Sequence, residues 1–323
     1  MQPTRRQVLA AGLSAAAAAG LAACGSNLRT IQPPTPAGAW RRRSLRLAHL
    51  TDPHVQPERR SGEGWAACLR HVQSQDDAPS LIVTGGDLIM DGFEQDEART
   101  RTQWDLFTRV LRAECSLPVL HTLGNHDIWG WNRKKSRTTG QEPAWGKRWA
   151  CDTLGLSAPA YRHDVGGWAI IVLDSVQPDG ESGYVGRLDQ AQVDWLGKTL
   201  KEIRISTPVM VVSHIPIMSV CGLFDRKKLA LKLNKSEIME DGMGLHELFR
   251  SARNVRLCLS GHIHDVDRVE ADGITYICDG AVSGAWWKGP HGPCVEGYGL
   301  VDLYDDGTFE HRYVPYGWKA DPA

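Results

Sequence analysis

Leu45-Arg46-Leu47-Ala48-His49-Leu50-Thr51-Asp52-Pro53-His54 reads as a short apolar strand that runs into residues able to ligate a metal. The same arrangement recurs downstream. Leu81–Thr84 leads into Gly85-Gly86-Asp87, and residues 119–122 lead into Gly124-Asn125-His126-Asp127. Val209–Val212 leads into Ser213-His214-Ile215-Pro216, and residues 255–259 into Gly261-His262-Ile263-His264. Residues 169–173 and Ile274–Cys278 are further strand-like runs. Helix-type patterns lie between them at 64–72, 94–113, 188–203 and 244–251. Strands alternating with helices predict an α/β domain. The end departs from that alternation: residues 299–304 and 308–314 flank Asp305-Asp306-Gly307 and read as a β-hairpin. No internal repeat is visible, so residues 44–323 read as one domain.

In open α/β sheets, ligands bind outside the carboxyl ends of the strands. Five of the 12 histidines fall in these strand-end motifs. In extended backbone, residues i and i+2 point to one side. Asp52 with His54, and His262 with His264, are therefore expected to face one site. The glycines at 85, 86, 124 and 261 allow tight turns and close backbone approach. Imidazole mixed with carboxylate or amide oxygen suits Mn, Fe, Zn or Co better than Mg or Ca.

The ordered series D-x-H, GD, GNHD, H, GHxH resembles the calcineurin-like metallophosphoesterase superfamily from about residue 45 to residue 265. That resemblance implies a four-layer α/β/β/α sandwich of two mixed sheets. It also implies a dinuclear centre of divalent or mixed-valence transition metals (Mn, Fe or Zn). Asp52, His54, Asp87 and His264 would hold one ion. Asp87, Asn125, His214 and His262 would hold the other, with Asp87 bridging. The implied reaction is phosphate-ester hydrolysis by metal-bound hydroxide, with His126 as general acid and Asp127 orienting it (a helix N-cap being the alternative for Asp127). Met90 stands where purple acid phosphatases carry a tyrosine. The D-x-H plus GNHD arrangement is most similar to bacterial cyclic-nucleotide phosphodiesterases, so phosphodiesters are favoured over monoesters. A phosphomonoesterase and a non-catalytic metal-binding surface lipoprotein are the alternatives.

Arg5-Arg6, an Ala-rich apolar run and Leu21-Ala22-Ala23-Cys24 read as an export signal over residues 1–23. The arginine pair resembles the twin-arginine class. The run's end resembles a bacterial lipobox, with Cys24 lipidated. The expected location is therefore the periplasm or cell envelope, with membrane attachment through Cys24. Residues 24–43, Pro-rich and ending Arg41-Arg42-Arg43, read as a tether. The other seven cysteines are scattered without metal-ribbon spacing.

Lys plus Arg is 37 against 38 acidic residues. That balance gives no electrostatic basis for binding nucleic-acid duplexes. A hydrophobic fraction of 42% argues against a disordered chain. Tryptophan, at 12 against 5 Phe, is in surplus. Trp129, Trp131, Trp145 and Trp149 follow the GNHD motif, mixed with Arg133, Lys134, Lys135 and Arg137. Trp286, Trp287, Lys288 and His291 follow the strand after GHxH. Substrate contact is expected at Asn125, Trp129, Trp286, Trp287 and His291, and a basic loop is expected beside the phosphate. Packing of long loops is the alternative for the tryptophans.

Overall fold

The computed structural model describes residues 41–225, 230–232 and 234–321. The export signal, Cys24 and most of the tether lie outside these described residues. The described residues form one compact unit.

Strand β1 (Arg43–Leu50) sits at the centre of a five-stranded sheet. It runs parallel to β2 (Leu81–Thr84), which runs parallel to β3 (Val119–Leu120). Two strands from the chain's far end complete this sheet, β14 (Gly297–Tyr304) and β15 (Phe309–Pro315), the predicted hairpin. A second, six-stranded sheet has β8 (Val209–Val212) and β11 (Val255–Ser260) at its centre. On one side of them lie β13 (Ile274–Cys278) and β12 (Asp267–Ala271). On the other lie β5 (Trp168–Val172) and β4 (Tyr161–Val165). Two small hairpins, β6 (Val176–Asp179) with β7 (Gly183–Gly186) and β9 (Phe224–Asp225) with β10 (Ala230–Leu231), stand outside both sheets.

The strand pleat sorts the apolar residues into layers. Leu45, Leu47, Leu81 and Val83 meet Ile170, Val172, Met210, Val212, Leu257 and Leu259 in a core between the two sheets. From the same strands, Ala48, Leu50 and Ile82 face the opposite way, onto α1 (Ser61–Gln73) and α2 (Glu97–Glu114). The second sheet turns Ala169, Ile171, Val209 and Val211 toward α5 (Gln190–Glu202) and α6 (Gly242–Ala252). Helix, sheet, sheet, helix is the expected four-layer sandwich of two mixed sheets.

The four predicted helices are all present. Two short helices, α3 (Arg133–Ser136) and α4 (Arg148–Leu154), lie in the long excursion after β3. The N-terminal ends of α2 and α5 begin two or three residues later than expected, where polar caps start them. Asp96 accepts from Arg99 N, and Asp189 accepts from Gln192 N. The tether's last residues belong to the folded unit. Arg43 starts β1 and pairs with Asp77, while Arg41 pairs with Glu310 and lies 3.9 Å from the Tyr304 ring centre. Both arginines thus meet acidic partners on the domain.

Candidate metal centre

The parallel strands β1, β2, β8 and β11 end at one edge of the sandwich. Each delivers its motif into a turn there. The expected i, i+2 alternation of extended backbone is not what aims the side chains. Asp52, His54, Asp87, His262 and His264 all have positive φ, between 42° and 72°. Left-handed backbone costs ~1–3 kcal/mol per residue and collects at functional sites. Asp and His tolerate it better than branched residues do. The turns also leave no spare volume. A Cβ on Gly124 would fall 2.1 Å from Asp87 Oδ1, and one on Gly261 would fall 1.8 Å from Thr51 Oγ1. These glycines are required by close approach.

Three groups of ligand atoms converge, each within 4.8 Å: Asp52, His54 and His264; His54, Asp87 and His126; and Asp87, His214 and His262. Asn125 joins the last group, its Oδ1 lying 3.1 Å from His214 Nε2. The inner nitrogens nearly touch. His54 Nε2 is 3.1 Å from His264 Nε2, and His262 Nδ1 is 3.0 Å from His214 Nε2. Asp52 Oδ1 lies 3.4 Å from His264 Nε2, buried and without a hydrogen-bond donor. Facing lone pairs and an orphaned carboxylate oxygen are what a shared cation would satisfy. The donor set of imidazole and oxygen suits a transition metal.

The outer nitrogens support this. His214 Nδ1 bonds Gly85 O at 2.8 Å, His264 Nδ1 bonds Gly284 O at 2.6 Å, and His262 Nε2 bonds Ser236 O at 2.8 Å. A carbonyl can only accept, so each ring donates outward and keeps its other nitrogen for the centre. Burial holds His54 well below its ordinary pKa and, with His214 beside it, lowers His262 to about 4. Burial opposes charge on Asp87 too, but His214 and His126 hold its carboxyl well below the usual range. Burial also pulls on His214, yet Asp87 outweighs it and pushes that ring up to about 9.

His126 is half-exposed and faces the cavity. Its Nε2 lies 3.9 Å from Asp87 Oδ2 and its Nδ1 lies 3.9 Å from Asp91 Oδ1. Asp127 does not orient it. Asp127 is fully buried, with Oδ1 accepting from Leu88 N and Ile89 N and Oδ2 from Gly124 N. Those backbone donors consume both oxygens, so Asp127 ties the turn after β2 to the turn after β3. Burial and the neighbouring Asp87 push its carboxyl up to about 7. Beside Asp87, the carboxylate facing the ring is Asp91, at Nδ1, which the motifs do not mark because it lies four residues beyond Asp87.

Above the cluster opens a cavity of about 340 Å³. Trp286 and His291 line it, together with Tyr184, Phe224, Glu237 and Asp265. Trp286 lies 4.6 Å from the His264 ring and 6.0 Å from His291. Trp287 is not in the cavity. It is buried, and its indole N–H donates to Pro53 O and His54 O at 2.9 and 3.0 Å. Trp129 is also buried, edge-on to Trp149 and bonded to Gln95 O. The expected basic loop is a packing unit too. Lys135 pairs with Glu94, and Arg133 lies 5.3 Å from the Trp145 ring centre. None of its cations lines the cavity among the described residues. Tyr184 and Phe224 escaped the sequence reading because their short hairpins carry no clear alternation.

The fold and this strand-end cluster define a metal-assisted hydrolase. The family model described as calcineurin-like phosphoesterase matches residues 45–266, and the chain belongs to that family, whose members are dinuclear metal-dependent. It is a metal-dependent phosphoesterase. A probable cyclic nucleotide phosphodiesterase of Synechococcus sp. is 28% identical over 276 residues, covering 83% of this chain and 91% of the relative. The 3′,5′-cyclic adenosine monophosphate phosphodiesterase of Escherichia coli K12 is 23% identical over 299 residues, covering 86% and 94%. A dimetal phosphatase from Danio rerio has the same fold, with a TM-score of 0.54 and 15% identity over 85% of this chain and all of that one.

Proposed function

We propose that the protein hydrolyses small phosphodiesters, cyclic nucleotides foremost, at two transition-metal ions held by Asp52, His54, Asp87, Asn125, His214, His262 and His264. The carbonyl-fixed imidazoles are the observation that carries this reading. The chemistry that two such ions supply when bound is polarisation of the phosphoryl oxygens and acidification of water. The chain's residues do the rest. Asp87 bridges the two halves of the ligand set. His126 holds a proton at the cavity floor for the departing oxygen. Trp286, Tyr184 and Phe224 offer ring faces to a base or sugar. The two phosphodiesterase relatives support a diester substrate. The test compares bis-p-nitrophenyl phosphate, p-nitrophenyl phosphate, cyclic AMP and glycerophosphodiesters on the manganese-loaded protein. Diesters should be cleaved at higher kcat/KM. Faster turnover of the monoester would favour the phosphomonoesterase reading instead.

We further propose export through residues 1–23 and lipid attachment at Cys24, which would set the enzyme in the cell envelope. Mass spectrometry of the mature protein tests this, with Cys24→Ser expected to release it from membranes.

A further inference from the structure

The candidate ligands are divided between the two sheets. Asp52, His54, Asp87 and Asn125 follow strands of the first sheet, and His214, His262 and His264 follow strands of the second. Their mutual distances therefore depend on how the sheets are held face to face. Most of that interface is aliphatic. Apolar contact is strong but non-directional.

A buried charged tie crosses it near the metal edge. Asp279 follows β13 of the second sheet and is fully buried. Its Oδ2 accepts from His49 Nδ1 at 2.8 Å, and its Oδ1 accepts from His311 Nε2 at 2.8 Å. His49 lies on β1 and His311 on β15, both in the first sheet. The strand between them is shaped for this contact. Gly299 of β14 faces His49, and a Cβ there would fall 2.2 Å from Asp279 Oδ2. The tie also borders the ligands. His49 Nε2 and Thr51 Oγ1 lie 2.8 and 2.3 Å from where a Gly85 Cβ would sit, and Thr51 Oγ1 donates to Asp52 Oδ2. Buried ionic groups often add no more stability than apolar side chains of similar size. What they add here is direction: two hydrogen bonds fix one sheet against the other.

We propose that Asp279, gripped by His49 and His311, is a positioning residue of the metal centre, setting the separation between the ligands of one sheet and those of the other. This rests on reading the seven strand-end residues as that centre. Asp279→Ala and the pair His311→Leu and His311→Gln test it, with wild type as reference. Each is titrated with Mn²⁺ by calorimetry, and each loaded form is examined by electron paramagnetic resonance for coupling between two Mn²⁺ ions. Asp279→Ala and His311→Leu should bind Mn²⁺ about tenfold more weakly, at the lower end of what partners behind ligands contribute. Their coupled signal should change. His311→Gln, which keeps an amide donor, should recover most of both. Should Asp279→Ala fail to fold, the His311 pair, at the less buried end of the tie, decides alone. Folded variants with a lower Tm but wild-type affinity and coupling would make the tie merely structural and overturn the proposal. Absence of a coupled pair in wild type would overturn the metal reading, and the tie with it.

Discussion

The floor of the site and its walls are built on opposite terms. The floor is a set of turns at strand ends. Its side chains are mostly buried, five of them sit on left-handed backbone, and three outer imidazole nitrogens are spent on carbonyls. The walls are half-exposed rings carried on loops and small hairpins, such as Trp286 and Tyr184. A floor of that kind accepts little variation, because each side chain has one place to go. A wall of exposed rings tolerates exchange. On the proposed function, reaction type would reside in the floor and substrate choice in the walls.

The largest effect should come from Asp87→Ala. The two ligand groups that contain Asp87 lose the carboxylate they share, so activity should fall by more than about a thousandfold, with metal content falling in parallel by elemental analysis. A fully active variant would mean the floor is not where the reaction occurs. His126→Ala tests the boundary between floor and wall. It should keep both metals and lose about 10²–10⁴-fold in kcat, the usual worth of a general acid. His126 Nε2 also lies in ligand reach of His54 and Asp87. Loss of one metal equivalent in this variant would move His126 into the ligand set.

The floor was legible in the sequence for the same reason it is rigid. Ligand chemistry restricts residue type, and neither packing nor turn formation would demand Asp, Asn and His in that order at successive strand ends. The sheets were legible through their apolar runs, and the C-terminal hairpin through its Asp-Gly turn. The walls were not. A tryptophan's ring serves packing and substrate contact equally well, and spacing from a motif does not separate the two. Trp286 and Trp287 are adjacent, yet one lines the cavity and the other is buried beneath α1, where a Cβ on Gly64 would fall 2.1 Å from its ring. Asp127 misled in a related way. Adjacency to His126 suggested a pair, but a buried carboxylate surrounded by unpaired backbone donors binds those first.

The contrast between tryptophans can be broken by experiment. Trp129→Ala should cost ~3–5 kcal/mol of stability, as large-to-small core changes do, while leaving KM for all substrates unchanged. A raised KM with unaltered stability would return Trp129 to the wall. A smaller effect concerns the scaffold behind the floor. His121 is buried, and burial lowers its pKa to about 4. The unfolded chain binds that proton near pH 6.5. The folded state therefore resists protonation: this contribution to stability is full above about pH 6.5 and is lost as pH falls toward 4, by about 3 kcal/mol at most. Urea unfolding at pH 7 and 4.5 should show a shallower loss for His121→Gln than for wild type. Equal losses would mean that His121 is not held neutral.

The smallest effect separates the two possible tasks of Trp286. Its ring leans on His264 at an interplanar angle of 37° and closes one side of the cavity. Its backbone is held at φ 54°, unusual for a bulky residue, so the loop maintains the ring there at some conformational expense. If the ring serves as a wall, Trp286→Ala should raise KM about tenfold, near 1.4 kcal/mol, for cyclic AMP and bis-p-nitrophenyl phosphate. A glycerophosphodiester without an aromatic group should be affected far less, and Trp286→Phe should restore most of the difference. If the ring instead steadies His264, all three substrates should suffer alike, through kcat and metal affinity rather than KM. The pattern across substrates, more than the size of any one change, decides whether floor and wall are separate at this point.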